Sequence, residues 1–236
     1  MPLTARKKIL DFGCGDGYRS IYLGRKADYW GVDISDENIK KARNKYRDKS
    51  FVLIAENSLP FENVFFDEIY LFDVLEHLNN PHASFKEVLR CLKKNGKLIV
   101  EIPYYKSEEF LKKIHPAYLI EIGHKNIFSD EAIVRLIKEF NLILLKKTKK
   151  RGIENIYLAL MFFWGNRIVS ETGDFERGSL FWRRVMGMFS EDFFSTKLFL
   201  ELRFFWFLFP LWVLTYPVGW LLSHVFPKAI RYEFRK

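Results

Sequence analysis

Short apolar runs alternate with amphipathic stretches along most of the chain. Lys7 to Phe12 carries Ile9, Leu10 and Phe12 with no helical period and reads as a buried strand. Gly13, Gly15 and Gly17 follow at alternate positions, and Ser20 to Leu23 then begins a helix. Tyr29 to Asp33 is a second apolar run. Asp36 to Tyr46 has helical spacing, with Ser35 as its N-cap. Phe51 to Ala55 and Ile69 to Phe72 read as the third and fourth strands, and Pro81 to Leu92 as a helix. Asn95-Gly96 turns the chain into a fifth strand, Lys97 to Ile102, which Pro103 ends. Tyr104 to Ile122 reads as an irregular insertion on the ligand-binding side. Ser129 caps a helix from Asp130 to Phe140. Leu142 to Lys147 and Ile156 to Phe163 are expected to supply the last two strands as an antiparallel hairpin. Strands that alternate with helices in this way predict an α/β fold on a mostly parallel sheet.

The pattern changes after residue 163. Arg177 to Phe189 mixes cations with Phe181, Trp182 and Val185, which suits an amphipathic helix. Phe204 to Phe226 contains no Asp, Glu, Lys or Arg. As a helix it would measure ~35 Å at 1.5 Å per residue, enough to cross a bilayer. Pro210 and Pro217 would kink it. Trp206, Trp212, Tyr216 and Trp220 are residues suited to the headgroup level, and cations flank both ends. If positive charge marks the cytoplasmic side, both ends stay there. A re-entrant or in-plane monotopic segment is therefore favoured over a simple span. These patterns divide the chain into a ligand-binding domain, 1–163, and a helical membrane-associating extension, 164–236. Contact with a membrane surface is expected through 194–236, on its cytoplasmic side.

Composition supports that division. The aromatic share of 17% exceeds what one α/β core needs. A net charge of +9 asks for an anionic partner, nucleic acid or an anionic membrane. The two cysteines, Cys14 in the glycine turn and Cys91 in a helix, exclude a disulfide framework and fit a reducing compartment. Met1 to Lys8 has no apolar core of the signal-peptide kind.

The candidate chemistry lies in the turn after the first strand. A dinucleotide fingerprint, G-x-G-x-x-G, would need a glycine at Tyr18, so that motif fails. The turn instead reads Asp-x-Gly-x-Gly-x-Gly from Asp11 to Gly17. Asp33 closes the second strand about 20 residues past Gly13, where a carboxylate can accept both ribose hydroxyls. Together these residues resemble the S-adenosylmethionine (SAM) site of class I methyltransferases. The run Asp73-Val74-Leu75-Glu76-His77-Leu78 resembles the ubiquinone-biosynthesis-like methyltransferases in particular. The resemblance covers residues 7 to about 163. It implies a Rossmann-like seven-stranded sheet with an antiparallel last strand, and SAM as cofactor. It further implies that Asp11, Gly13, Gly15, Gly17, Asp33, Ile34 and Asp73 surround SAM. Glu56 and Asn57 would meet the adenine, in place of the family's Gly-Asp.

Methyl transfer from a sulfonium needs alignment above all, and a base only for a hydroxyl or ammonium acceptor. His124, His77 and Tyr104 are the candidates for that base, with His115 behind them. In related methyltransferases the histidine of a segment like Gly123 to Ser129 lies near the acceptor. No metal cluster is expected from the spacing of His, Cys and acids. Nucleic acid is not the expected substrate. Asp73-Val74-Leu75-Glu76 stands where amino-methylating nucleic-acid enzymes carry an Asn/Asp-Pro-Pro-aromatic run. The expected activity is methylation of a lipid-like, membrane-resident acceptor. One alternative is a soluble small-molecule or protein methyltransferase whose tail mediates oligomerisation. Another is a non-catalytic binding or scaffold protein.

Overall fold

The structure, a computed structural model, describes residues 6–150 and 227–236. It falls into two compact units. One comprises residues 1–103, 123–149 and 230–236, and the other residues 104–122 and 150–229.

The first unit is built on a seven-stranded sheet. Its strands are β1 (Lys7–Phe12), β2 (Ala27–Asp33), β3 (Ser50–Leu53), β4 (Phe66–Phe72), β5 (Leu92–Pro103), β6 (Ile143–Lys150) and β7 (Ala229–Arg235). Their order is β3-β2-β1-β4-β5-β7-β6. The pairs β1–β2, β1–β4, β2–β3 and β4–β5 are parallel. β7 reverses direction: the Lys236 amide donates to Gly96 O near the start of β5, while Arg231 pairs with Glu101 further along it. The order switches sides between β1 and β4, which opens a crevice at the carboxyl ends of those strands.

Strand positions are apolar on both faces because helices cover both. Leu10, Val32, Phe66, Ile69, Leu71 and Leu98 are all buried. Each such side chain contributes about 1.5–3 kcal/mol on leaving water. Helix α1 (Ser20–Leu23) and α2 (Asp36–Lys45) lie between β1 and β3 in the chain. Ile39 and Ala42 of α2 pack with Cys14, Tyr29 and Phe51. Ser35 caps α2 by accepting the Asn38 amide, and the ion pairs Lys40–Asp36 and Lys41–Glu37 line its exposed side. α3 (Pro81–Cys91) starts at Asn80, whose side chain accepts the Ala83 amide. α6 (Asp130–Glu139) is capped by Ser129, as the sequence implies.

Two features depart from expectation. The seventh strand of the described sheet comes from the extreme C-terminus, inside the stretch assigned to a helical extension. Tyr232 and Phe234 are buried, and Phe234 lines one small apolar void with Phe85, Val100, Ile133 and Leu142. The strand expected at 156–163 lies outside the described residues, as does the apolar stretch 204–226. Among the described residues no helix is long and apolar enough to cross a membrane.

The second departure is Tyr104 to Ile122, which is helical. It forms α4 (Tyr105–Ile114) and α5 (Tyr118–Glu121), in the second unit. Leu111 and Tyr118 pack there with Ile114, Leu119 and Ile122. The Tyr104 amide donates to Lys228 O, and Ser107 Oγ donates to Pro227 O.

Candidate functional site

The turn after β1 is held from both sides. The Gly13 and Cys14 amides donate to Val32 O at 2.8 and 2.9 Å, fastening the turn to β2. Gly13, Gly15 and Gly17 have φ of 74°, 57° and 82°, all in the left-handed region that favours glycine. Two of them are also hemmed in. A Cβ on Gly13 would stand 2.4 Å from Val74 Cγ2, and one on Gly17 would meet the Phe51 ring and Ala42. Gly15 differs, because no protein atom lies within 4 Å of where its Cβ would be. Its backbone faces open space, the space a ligand would take.

Asp33, at the end of β2, borders the same space. Its Oδ2 accepts the Gly15 amide at 2.9 Å and its Oδ1 accepts the Ser35 amide at 2.8 Å. An ionised carboxylate has about four acceptor positions, so lone pairs remain for two ribose hydroxyls. Ile34, beside it, is 61% exposed and offers an apolar surface at the rim.

Asp11 has a different task from the one expected. It is fully buried beneath the turn, and its oxygens are taken by the chain itself. Tyr29 Oη donates to Asp11 Oδ2 at 2.8 Å, and Arg19 Nε lies 3.5 Å from Oδ1. Burial pushes the carboxyl up from its ordinary value, against the pull of Arg19 and Tyr29. Asp11 therefore braces the turn from below. Its burial sets it beneath the turn and not among the groups that face a ligand.

Arg19 is the site residue that the spacing did not reveal. Its Nη2 donates to Gly13 O at 3.1 Å and to Phe72 O at 3.2 Å. One guanidinium thus ties the ends of β1 and β4 together and partners Asp11. The signal was a cation two residues past the last glycine.

The acids and amides expected near adenine are engaged with protein groups. Glu56 accepts both the amide and the side-chain Nδ2 of Asn79, as well as the Asn80 amide. These donors, Asn79 above all, hold its carboxyl below the usual glutamate value. Asn57 Oδ1 accepts from Ser84 Oγ at 2.7 Å. Glu56 and Asn57 thus join the loop after β3 to the start of α3, and shape the rim rather than reach freely into it. Asp73 sits exposed at the end of β4 with φ of 52°, its amide donating to Glu101 O. The strained backbone there fits a functional rim.

After β4 the chain makes a 3₁₀ turn, Leu75–His77. Val74, which starts it, packs against Gly13, so this turn abuts the glycine loop. The loop carrying His124 folds onto it. The Lys125 and Asn126 amides both donate to Glu76 O, and Asn126 Nδ2 donates to Leu78 O at 2.7 Å. The His77 and His124 rings meet edge to face, 4.7 Å apart. His77 Nδ1 lies 3.0 Å from Gly123 O. Two of the four candidate bases are therefore brought together from distant parts of the sequence. A ligand atom from each of Glu76, His77 and His124 lies within 4.8 Å of the others, which the sequence spacing did not indicate. The other two candidates belong to the second unit. Tyr104 is buried, and His115 is buried with its Nε2 2.9 Å from Glu121 Oε2.

A mostly parallel sheet with a switch point at β1 and β4, an open glycine turn and an acid closing β2 define a nucleoside-binding α/β domain. The turn carries no phosphate-binding fingerprint. Comparison with known proteins narrows the class. A family profile described as a methyltransferase domain matches residues 2–147, and the chain belongs to that family. The matched stretch is thus a methyltransferase domain, and SAM is the cofactor its residues are to fit. A ubiquinone/menaquinone biosynthesis C-methyltransferase from Shewanella pealeana is 30% identical over 125 residues, covering 49% of this chain and 50% of that protein. A ubiquinone biosynthesis O-methyltransferase from Idiomarina loihiensis is 34% identical over 98 residues, 39% of this chain and 40% of that protein. The chain thus spans half the length of these relatives or less. The crystal structure of a SAM-dependent methyltransferase from Methanosarcina mazei gives a TM-score of 0.54 at 22% identity, covering 64% of this chain and 86% of that one. That likeness shows the fold.

The residues present fit the cofactor. Gly15 offers open backbone, Asp33 offers a fixed carboxylate, and Ile34 offers an apolar edge. Asp33 would hold the ribose, and the turn would lie along the amino-acid tail.

Proposed function

We propose that this protein methylates a lipid-like, membrane-resident acceptor, such as a polar lipid, a lipid-linked saccharide or an isoprenoid quinone precursor. The observation that carries the proposal is the uncharged, aromatic-rich stretch 204–226 with cations on both flanks. Such a stretch is costly in water and suited to the bilayer interface. Each nearby cation adds about 1 kcal/mol on an anionic surface. The ubiquinone-pathway names of two relatives favour the same acceptor class.

SAM supplies an electrophilic methyl group on a sulfonium. The chain's task is to align that methyl with the acceptor and to keep water out. Asp33 and the glycine turn fix the cofactor end. His77 and His124, brought together beside the glycine turn, promote loss of the acceptor hydroxyl's proton. The C-terminal segment docks the enzyme on the cytoplasmic face of a membrane and lifts the acceptor toward the site.

Vesicle flotation of the full chain tests the docking. Phe207→Glu with Trp212→Glu is expected to release the protein from vesicles of mixed phosphatidylglycerol and phosphatidylcholine. Methyl transfer from labelled SAM to a membrane extract should fall with it. If the double variant floats like the wild type, the anchor is elsewhere and the lipid reading fails.

A further inference from the structure

We propose that Glu76, His77 and His124 form a site for one divalent first-row transition ion, beside the SAM site. Three observations support it. A ligand atom from each of the three side chains lies within 4.8 Å of the others. Two imidazoles and one carboxylate are the donor set suited to Zn²⁺, Fe²⁺, Mn²⁺ or Co²⁺, and three protein ligands leave coordination positions open. The ligands are also preorganised. Gly123 O can only accept, so its 3.0 Å contact puts a proton on His77 Nδ1 and leaves Nε2 as the donor atom. The His124 loop is pinned to the 3₁₀ turn by the two amides that donate to Glu76 O and by Asn126 Nδ2 on Leu78 O.

The pocket has to contract on loading. Bonds of about 2.0–2.2 Å to an ion bring ligand atoms to within roughly 3–3.5 Å of one another. His77 is exposed and His124 half-buried, so small ring rotations supply the closure, while Glu76 stays fixed in the interior.

The use of the ion rests on the methyltransferase reading; its binding does not. An acceptor hydroxyl held at an open position loses its proton to solvent more readily, because the ion stabilises the oxygen anion. The oxygen pair then forms the bond to the methyl carbon. The carbon–sulfur bond breaks, and its electrons remain on sulfur as a neutral thioether. His77 and His124 would act through the ion rather than as the base themselves. The acceptor atom is then an oxygen, not a carbon.

The test uses the purified full chain, stripped with a chelator and titrated with Zn²⁺ and with Co²⁺. Calorimetry follows both ions, and visible absorption follows Co²⁺. SAM binding is measured on the same sample. One ion per chain is expected. His77→Ala and His124→Ala should each weaken it at least tenfold, and His82→Ala, which removes the separate pair with Glu139, should not. Unchanged SAM affinity in the variants would show that they remain folded. A chain that binds SAM but neither ion overturns this proposal and leaves the methyltransferase reading intact. So does ion binding that neither histidine substitution weakens. A chain that binds the ion but not SAM supports the site and defeats the methyltransferase reading.

Discussion

The Gly15 amide donates to Asp33 Oδ2 at 2.9 Å, so the turn after β1 and the acid closing β2 form one unit. Asp11, the other acid of the motif, points the opposite way, into Tyr29 and Arg19. The two carboxylates therefore fail differently when altered. Asp33→Asn keeps one acceptor but loses its charge, and should weaken SAM at least tenfold, about 1.4 kcal/mol. Asp11→Asn breaks a buried pair and should cost about 3 kcal/mol of folding stability, with the smaller effect on SAM affinity. Urea unfolding and calorimetry on both variants check this. Equal losses of affinity would contradict the separation of roles.

Gly13 and Gly15 should separate in the same way. Gly15→Ala pays about 1–2 kcal/mol for its positive φ and meets no protein atom. Its new methyl projects into the cofactor space, so SAM affinity should fall at least tenfold. Gly13→Ala pays the same backbone cost and also collides with Val74, 2.4 Å away. It should be the less stable of the two by thermal unfolding.

Glu56 makes the rim sensitive to acid. Its carboxyl is held below the usual value by Asn79 and Asn80, so ionised Glu56 favours the folded state. That contribution is complete above the unfolded value, about 4.3, and is lost as pH falls through the lower folded value. The stability gap between wild type and Glu56→Gln should therefore be widest near neutral pH and should narrow below about pH 4. Chemical denaturation across that range measures it.

The C-terminal strand yields a stability prediction. Phe234→Ala removes a buried ring from β7 and should cost about 3–5 kcal/mol. Removing 229–236 should leave the sheet unable to fold, seen as lost cooperative unfolding. A truncation meant to strip the apolar stretch 204–226 would remove this strand as well, so substitutions within the stretch are the cleaner probe.

Much of this was legible in the sequence because local patterns carried it. Ile9, Leu10 and Phe12 are apolar without a helical period, and Lys7 to Phe12 is β1 over those residues. Ser35 and Ser129 are cap residues followed by acids, and both cap helices. The glycine turn and Asp33 were readable from spacing alone. Tyr104 to Ile122 was not, since part of its helical period is carried by polar side chains. Ser107, Glu108 and His115 are buried there, beside Leu111 and Tyr118. β7 was hidden because Ala229 to Arg235 alternates apolar and polar residues directly after a long greasy stretch. The cluster of Glu76, His77 and His124 joins residues far apart in the chain, and only the fold brings them together.

The account stands on adenosyl recognition by the Gly15–Asp33 unit. Isothermal calorimetry of the full chain with SAM and with its demethylated product addresses it directly. Binding of both at one site per chain is predicted, with a thermal shift equivalent to about 2.7 kcal/mol at a ligand concentration 100 times the dissociation constant, and both effects reduced by Asp33→Asn. Neither heat nor shift from a folded sample would contradict it.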